Sequence, residues 1–277
     1  MDTLEEDCAK CANRYVISRR SAELQPIQLG VGVAGGAEAT NHATCRYLKL
    51  MPDNHILVKL DFCNAFNSIR RDLVLDSIAD KMAQLCFVYA SCSSNPILTF
   101  ASQVIRSKEE FQQGNPLSSL GFCGAIHSTL TIFNSNLRIG FMDDFSLSGE
   151  LSVVTEDVET LVRSAEETGL FLNASKCEII VNNFDIINNI DTFKDFIKIA
   201  PHDMILLGAP VLKGPTFDTS LQNKVGELKR AFNRLKLLCS LIHWSYYEIL
   251  LTYPHCYTLY VHNRAQTTGF CLSLMRH

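Results

Sequence analysis

Positive charge is in short supply. The chain has 277 residues, with 25 Lys and Arg against 29 Asp and Glu, for a net charge of −4. Binding nucleic acid needs a basic surface, so any phosphate contact must come from a local patch. Charged residues make up only 19% and hydrophobic ones 47%, which argues against disorder and for a sizeable core. Long apolar runs are missing as well. The stretch from Ile249 to Val261 is interrupted by Pro254 and His255, so no membrane span is expected. Met1 to Cys11 is acidic and polar, unlike a secretory leader. A disulfide framework is excluded by the odd, irregularly spaced set of 11 cysteines. Cys8 and Cys11 form a CxxC with no second pair at zinc-finger spacing. These features predict a reducing intracellular compartment, nucleus or cytoplasm, with no secretion and no membrane. Internal repeats and low-complexity tracts are absent too.

What is present is a set of carboxylates at strand ends. Asp143 and Asp144 stand together inside LRIGFMDDFSLSGE, and Asp61 ends the apolar run of HILVKLDFCNAFNSI. An isolated Asp-Asp is most often a solvated turn. Here both flanks alternate, which predicts a β-hairpin with the Asp pair at its two-residue turn. ILVKL reads as a mostly buried strand delivering Asp61. Hard divalent cations take carboxylate oxygens. Nucleotidyl transfer by two metal ions about 3.5–4 Å apart needs such carboxylates from neighbouring rigid strands.

With these segments in order, the chain resembles the reverse transcriptase of a non-LTR (LINE-type) retrotransposon. HILVKLDFCNAFNSI is similar to that family's first catalytic motif, and FQQGNPLSSLGF to its Gln-Gly-Pro motif. GFMDDFSLSG resembles the aromatic-x-Asp-Asp hairpin, and TGLFLNASKCEII the following lysine-bearing motif. ILLGAPV resembles the primer-contacting hairpin. The five motifs keep the family order from about residue 28 to 236.

The resemblance implies an RNA-directed DNA polymerase that adds dNTPs to a DNA primer on an RNA template, with two Mg²⁺ or Mn²⁺ ions. Asp61 and Asp143 would ligate the ions, with Asp144 in support. Lys176 would stand near the pyrophosphate leaving group. Phe62, Ala65, Phe66, Gln113 and Gly114 would border the incoming nucleotide, Phe66 leaving no room for a ribose 2′-hydroxyl. Leu206, Leu207 and Gly208 would position the primer end. Lys224, Lys229, Arg230, Arg234 and Lys236 fall in one predicted helix, which would follow the template–primer backbone. The implied fold is an α/β (α+β) polymerase palm with a split βαβ, ferredoxin-like core. It assigns 1–50 to a remnant of the fingers, 51–215 to the palm and 216–277 to a helical thumb-like segment.

The sequence also departs from the family pattern. Asn115 replaces the more usual Asp after Gln-Gly, Asn67 replaces an acid, and Gly121 and Gly124 fall inside a predicted helix. The basic triphosphate-binding hairpin and an endonuclease are missing, so weak dNTP binding and little extension by the isolated chain are expected. The alternative is an inactive retroelement remnant acting as a nucleic-acid or protein-binding module.

Local patterns predict helices near 37–50 and 71–85, and a hairpin over 97–105. A further helix follows Pro116, and another is capped by Thr155, with Glu156 and Asp157 at its N-terminal end. A strand is predicted over 176–181, a loop over 182–203, and helix beyond Pro215.

Overall fold

The computed structural model describes residues 3–79, 97–100, 103–106 and 117–235. The chain divides into two compact units, Met1–Ala200 and Pro201–His277.

In the first unit, helices α1 (Thr3–Leu24) and α2 (Gly36–Leu50) precede strand β1 (His55–Leu60). The one-turn helix α3 (Ala65–Ser68), helix α4 (Arg71–Ala79) and the strands β2 (Ile97–Phe100) and β3 (Gln103–Arg106) come next. Helix α5 (Ser118–Thr131), strands β4 (Leu137–Phe141) and β5 (Asp144–Glu150), and helix α6 (Leu151–Thr168) follow. Strands β6 (Glu178–Val181) and β7 (Ile197–Ile199) end the unit.

The main sheet runs β4-β5-β1-β6-β7. Its first four strands pair antiparallel, and β7 joins β6 in parallel. Strand–helix–strand–strand–helix–strand with this order is the split βαβ arrangement that the sequence predicts. β2 and β3 pair as a separate hairpin, also as predicted.

Alternation sorts the sheet into two faces. Ile56, Val58, Leu60, Phe145, Leu147, Ile179 and Val181 belong to the main core cluster, together with residues of α1, α5 and α6. The opposite face carries Leu57 and Lys59 from β1, paired with Ser148 and Ser146 from β5. Both serines are buried. The Tyr47 hydroxyl of α2 lies 2.6 Å from Nδ1 of His55, which shares the side of β1 that carries Leu57 and Lys59, and this places α2 over the second face. Continuous burial on both faces explains why HILVKL reads as an apolar run.

Several predicted boundaries shift. α6 starts at Leu151, and Thr155 lies within it, its hydroxyl donating to Leu151 O at 2.7 Å. Thr155 therefore caps nothing. Asp157 is not a dipole partner at the helix start either. It is 4% exposed and accepts from the backbone N–H groups of Asn134 (3.0 Å) and Ser135 (2.7 Å). The strand predicted from Lys176 begins at Glu178, because a turn occupies Asn173 to Cys177. The predicted loop after it contains three 3₁₀ turns and β7. IKI is too short to show a period, so no strand was legible there. Pro116 lies outside the described residues.

The second unit holds a hairpin of β8 (Ile205–Leu206) and β9 (Ala209–Pro210) and then helix α7 (Pro215–Leu235). Leu207 and Gly208 form its turn with φ of 50° and 76°. Positive φ at both positions is the signature of a type I′ turn, which suits the twist of two short strands. Pro215 opens α7, where a missing N–H costs nothing. Among the described residues, no helix is long and apolar enough to cross a membrane.

Asp157→Ala would leave the backbone amides of Asn134 and of buried Ser135 without their acceptor. The expected loss is about 2–5 kcal/mol of stability, read from the urea midpoint, with Asp157→Asn less severe. A midpoint unchanged by Asp157→Ala would show that the carboxylate holds nothing in place.

Candidate active site

Strand register brings the sequence-predicted carboxylates to one sheet end. Leu60 pairs with Phe145 across β1 and β5, so one further step of that register sets Asp61 opposite Asp144. Phe141 pairs with Asp144 across β4 and β5. The hairpin turn is therefore Met142-Asp143, and not the predicted Asp143-Asp144. Asp143 sits in the turn, whereas Asp144 is the first residue of β5. Asp61, Asp143 and Asp144 are all half-buried.

The backbone around Asp61 is held on both sides. Its carbonyl accepts from Asn173 N at 2.8 Å, and its N–H donates to Cys177 Sγ at 3.3 Å. Cys63 N donates to Phe171 O at 2.8 Å, and Phe62 forms a bridge with Leu172. The turn before β6 thus packs along the exit of β1. This puts Lys176 in the segment that grips Asp61, where it is exposed.

Electrostatics reflect the crowding. Burial, reinforced by Asp61, pushes the Asp143 carboxyl above the usual carboxylate range. Asp144 is also raised, first by burial and then by Asp143, Asp61 and Glu178, with Lys59 pulling the other way. Lys59 Nζ lies 3.3 Å from Glu178 Oε1, bridging β1 and β6 beside the carboxylates. Asp143 also raises the buried thiol of Cys123 on α5, behind burial itself.

Other expected site residues fall in several places. Phe66 on α3 is half-buried and stacks on Phe122 of α5, with ring centroids 4.6 Å apart. Phe62 is 7% exposed and meets Phe145 edge-on at 5.8 Å, inside the helix-covered core. Ala65, the first residue of α3, is also buried. Gln113, Gly114 and Asn115 lie outside the described residues, as does Lys236. In the second unit, Leu206 is buried in the hairpin, with Leu207 and Gly208 at its turn. Along α7, Lys229, Arg230 and Arg234 are exposed, and Lys224 pairs with Glu227 at 3.0 Å.

The sequence reading missed three supporting residues. Cys177 was one of eleven undistinguished cysteines. Gln28 is 1% exposed and bonded to the Met142 backbone, yet a glutamine before Leu-Gly carries no local signal. Arg20 is 3% exposed and ion-paired to Glu23 at 2.7 Å. Its guanidinium explains Gly124, where a Cβ would stand 2.5 Å from Arg20 Nη2.

Could these residues take a metal ion? The donors are oxygen atoms suited to Mg²⁺ or Mn²⁺. Burial and mutual repulsion leave Asp143 and Asp144 in need of a counter-charge. Among the described residues no three His, Cys, Asp or Glu side chains form a ready cage. Mg²⁺ is usually held by one or two carboxylates together with substrate phosphates.

The family model described as reverse transcriptase (RNA-dependent DNA polymerase) matches residues 10–209. No curated protein matches the chain. Among solved structures, telomerase from Candida tropicalis in complex with a TWJ fragment of telomeric RNA is similar, at 15% identity and TM-score 0.50. The match covers 72% of this chain and 35% of that one. Apo telomerase from Candida tropicalis matches at 15% identity and TM-score 0.46, covering 62% of this chain and 37% of that one. Telomerase from Candida albicans, with the same kind of RNA fragment, matches at 13% identity and TM-score 0.47, covering 62% and 34%. The chain thus spans about a third of the length of these telomerases.

A carboxyl with a raised folded pKa takes up protons on folding. Its contribution to stability is full at pH below about 4 and is lost as pH climbs through the raised value. Metal-free Asp143→Asn should therefore melt above the wild type at pH 7, with the gap closing at low pH. Added Mg²⁺ or Mn²⁺ should raise the wild-type melting temperature and leave that of Asp143→Asn in place. Wild-type melting curves that ignore metal would mean that these carboxylates hold no ion.

Proposed function

The chain belongs to the reverse transcriptase family, and we propose that it is the RNA-directed DNA polymerase domain of a non-LTR retroelement, working by two-metal nucleotidyl transfer. The observation that carries this reading is the register that sets Asp61 opposite Asp144, one residue from Asp143 in the adjoining turn. The non-LTR origin rests on the resemblance of the five motifs.

In this reading Asp61 and Asp143 hold two Mg²⁺ or Mn²⁺ ions, and Asp144 supports them from the first position of β5. When bound, the ions neutralise charge on the phosphates and on the attacking and leaving oxygens. The protein's own task is positioning. The gripped backbone of Asp61 and the hairpin turn of Asp143 hold two carboxylates at one end of the sheet. Lys176, exposed on the turn beside Asp61, supplies a cation or a proton to departing pyrophosphate. Phe66, braced on Phe122, presents a rigid ring under the sugar and favours deoxynucleotides. Gln113 and Gly114 border the base and sugar, glycine permitting close backbone approach. The hairpin at Leu206, Leu207 and Gly208 receives the primer end. The exposed Lys229, Arg230 and Arg234, with Lys224 and Lys236 of the same cluster in sequence, offer a basic track for the template–primer backbone on a chain that is otherwise acidic. The domains read as a fingers remnant over 1–50, a palm over 51–215 and a thumb-like segment over 216–277.

Single-nucleotide addition to a DNA primer on an RNA template, followed with the chain in excess and with Mn²⁺, tests this function. Slow addition is expected that requires metal and dNTP, and Asp143→Ala should lower it by about a thousandfold or more. Equal background from wild type and Asp143→Ala would refute a polymerase role for this chain. Phe66→Ala should keep dNTP addition and let ribonucleotides compete, seen as a fall of about tenfold or more in the dNTP-to-rNTP ratio of kcat/KM. An unchanged ratio would remove Phe66 from the sugar pocket.

A further inference from the structure

Gln28 is 1% exposed, and its amide is spent almost entirely on one residue of the carboxylate turn. Nε2 donates to Met142 O at 3.0 Å. Oε1 accepts from Met142 N at 2.8 Å and from Gly30 N at 3.1 Å. Only one orientation of the amide satisfies two donors and one acceptor at once. The flanking backbone makes the same connection. Gly140 N donates to Ile27 O at 2.7 Å, and Leu29 N donates to Gly140 O at 2.8 Å.

Two glycines permit this closeness. A Cβ on Gly30 would stand 2.5 Å from Met142 N. On Gly140 it would stand 2.9 Å from Gln28 Nε2 and 2.8 Å from the Phe145 ring. The turn needs such support, because Met142 has φ of 59°, a left-handed conformation that a side-chain-bearing residue rarely adopts. The Met142 carbonyl belongs to the peptide bond that leads into Asp143. Whatever orients that peptide orients the start of Asp143.

We propose that Gln28 is a positioning residue for Asp143: its side-chain amide clamps both backbone polar groups of Met142 and so fixes the turn that presents the carboxylate. What Asp143 then holds rests on the polymerase reading; the clamp itself does not. Gln28 touches no reacting atom and acts only through the turn. The glutamine and the glycine two residues on work together, one bonding the turn and the other leaving space for it.

Hydrogen exchange at the Met142 and Asp143 amides, measured on the whole chain without metal, tests the clamp. Mn²⁺ affinity by electron paramagnetic resonance gives the second readout. Gln28→Leu should speed exchange at these amides about tenfold or more relative to Leu57 in β1, and weaken Mn²⁺ binding about 10- to 100-fold. Leu24→Ala serves as the structural control. Leu24 is fully buried at the end of α1, just ahead of segment 27–30, which carries Gln28. That variant should lose stability while keeping the wild-type exchange ratio and Mn²⁺ affinity. If Gln28→Leu keeps both as well, or shifts them only as Leu24→Ala does, the clamp is refuted. Should Gln28→Leu not fold, Gln28→Glu decides instead. It keeps an acceptor for Met142 N–H but turns an oxygen toward Met142 O, so the same two changes are expected, and their absence overturns the proposal. A loosened turn in a protein whose wild type binds no Mn²⁺ would uphold the clamp and sink the two-metal reading.

Discussion

The antiparallel pairing of β1 with β5 is the contact on which the rest of this molecule depends. It buries Ile56, Val58 and Leu60 against α5 and α6, and it carries the chain to Asp61 at the point where β5 begins with Asp144. A slip of one residue would send Lys59 and Asp61 into the apolar core and turn Leu60 outward. Register is therefore enforced by hydrophobic burial along the whole strand, and the carboxylates inherit their placement from it.

That placement is electrostatically unfavourable. Asp143 and Asp144 are raised by burial and by neighbouring carboxylates. Coulomb repulsion alone would spread such side chains apart. The backbone beneath them is instead held by groups that carry no charge. Asn173 and Cys177 bond the two backbone polar groups of Asp61, and Gln28 bonds those of Met142. Rigid backbone under crowded carboxylates stores a demand for a cation, which a binding site for divalent metal requires.

Much of this was legible from the residues. Alternation in LRIGF and FSLS gave the hairpin, and the apolar run before Asp61 gave the central strand. The turn was misplaced by one residue because the pattern cannot distinguish Met142-Asp143 from Asp143-Asp144; only cross-strand pairing does. Phe62 follows Asp61 in sequence, yet strand alternation turns consecutive side chains to opposite faces, and its ring packs on Phe145. Gln28 and Cys177 escaped notice for another reason. Each acts on backbone far along the chain, 114 and 116 residues away, and a sequence pattern records only local neighbours. Gly124 looked like a weakness in a helix until Arg20 was seen against it.

The central claim is that Asp61 and Asp143 share one metal site, and anomalous diffraction from crystals grown with Mn²⁺ measures it most directly. The account predicts carboxylates within about 7 Å of each other, with an anomalous peak in contact with oxygens of both. Carboxylates more than about 12 Å apart or on opposite faces of the sheet, with no peak between them, would contradict it.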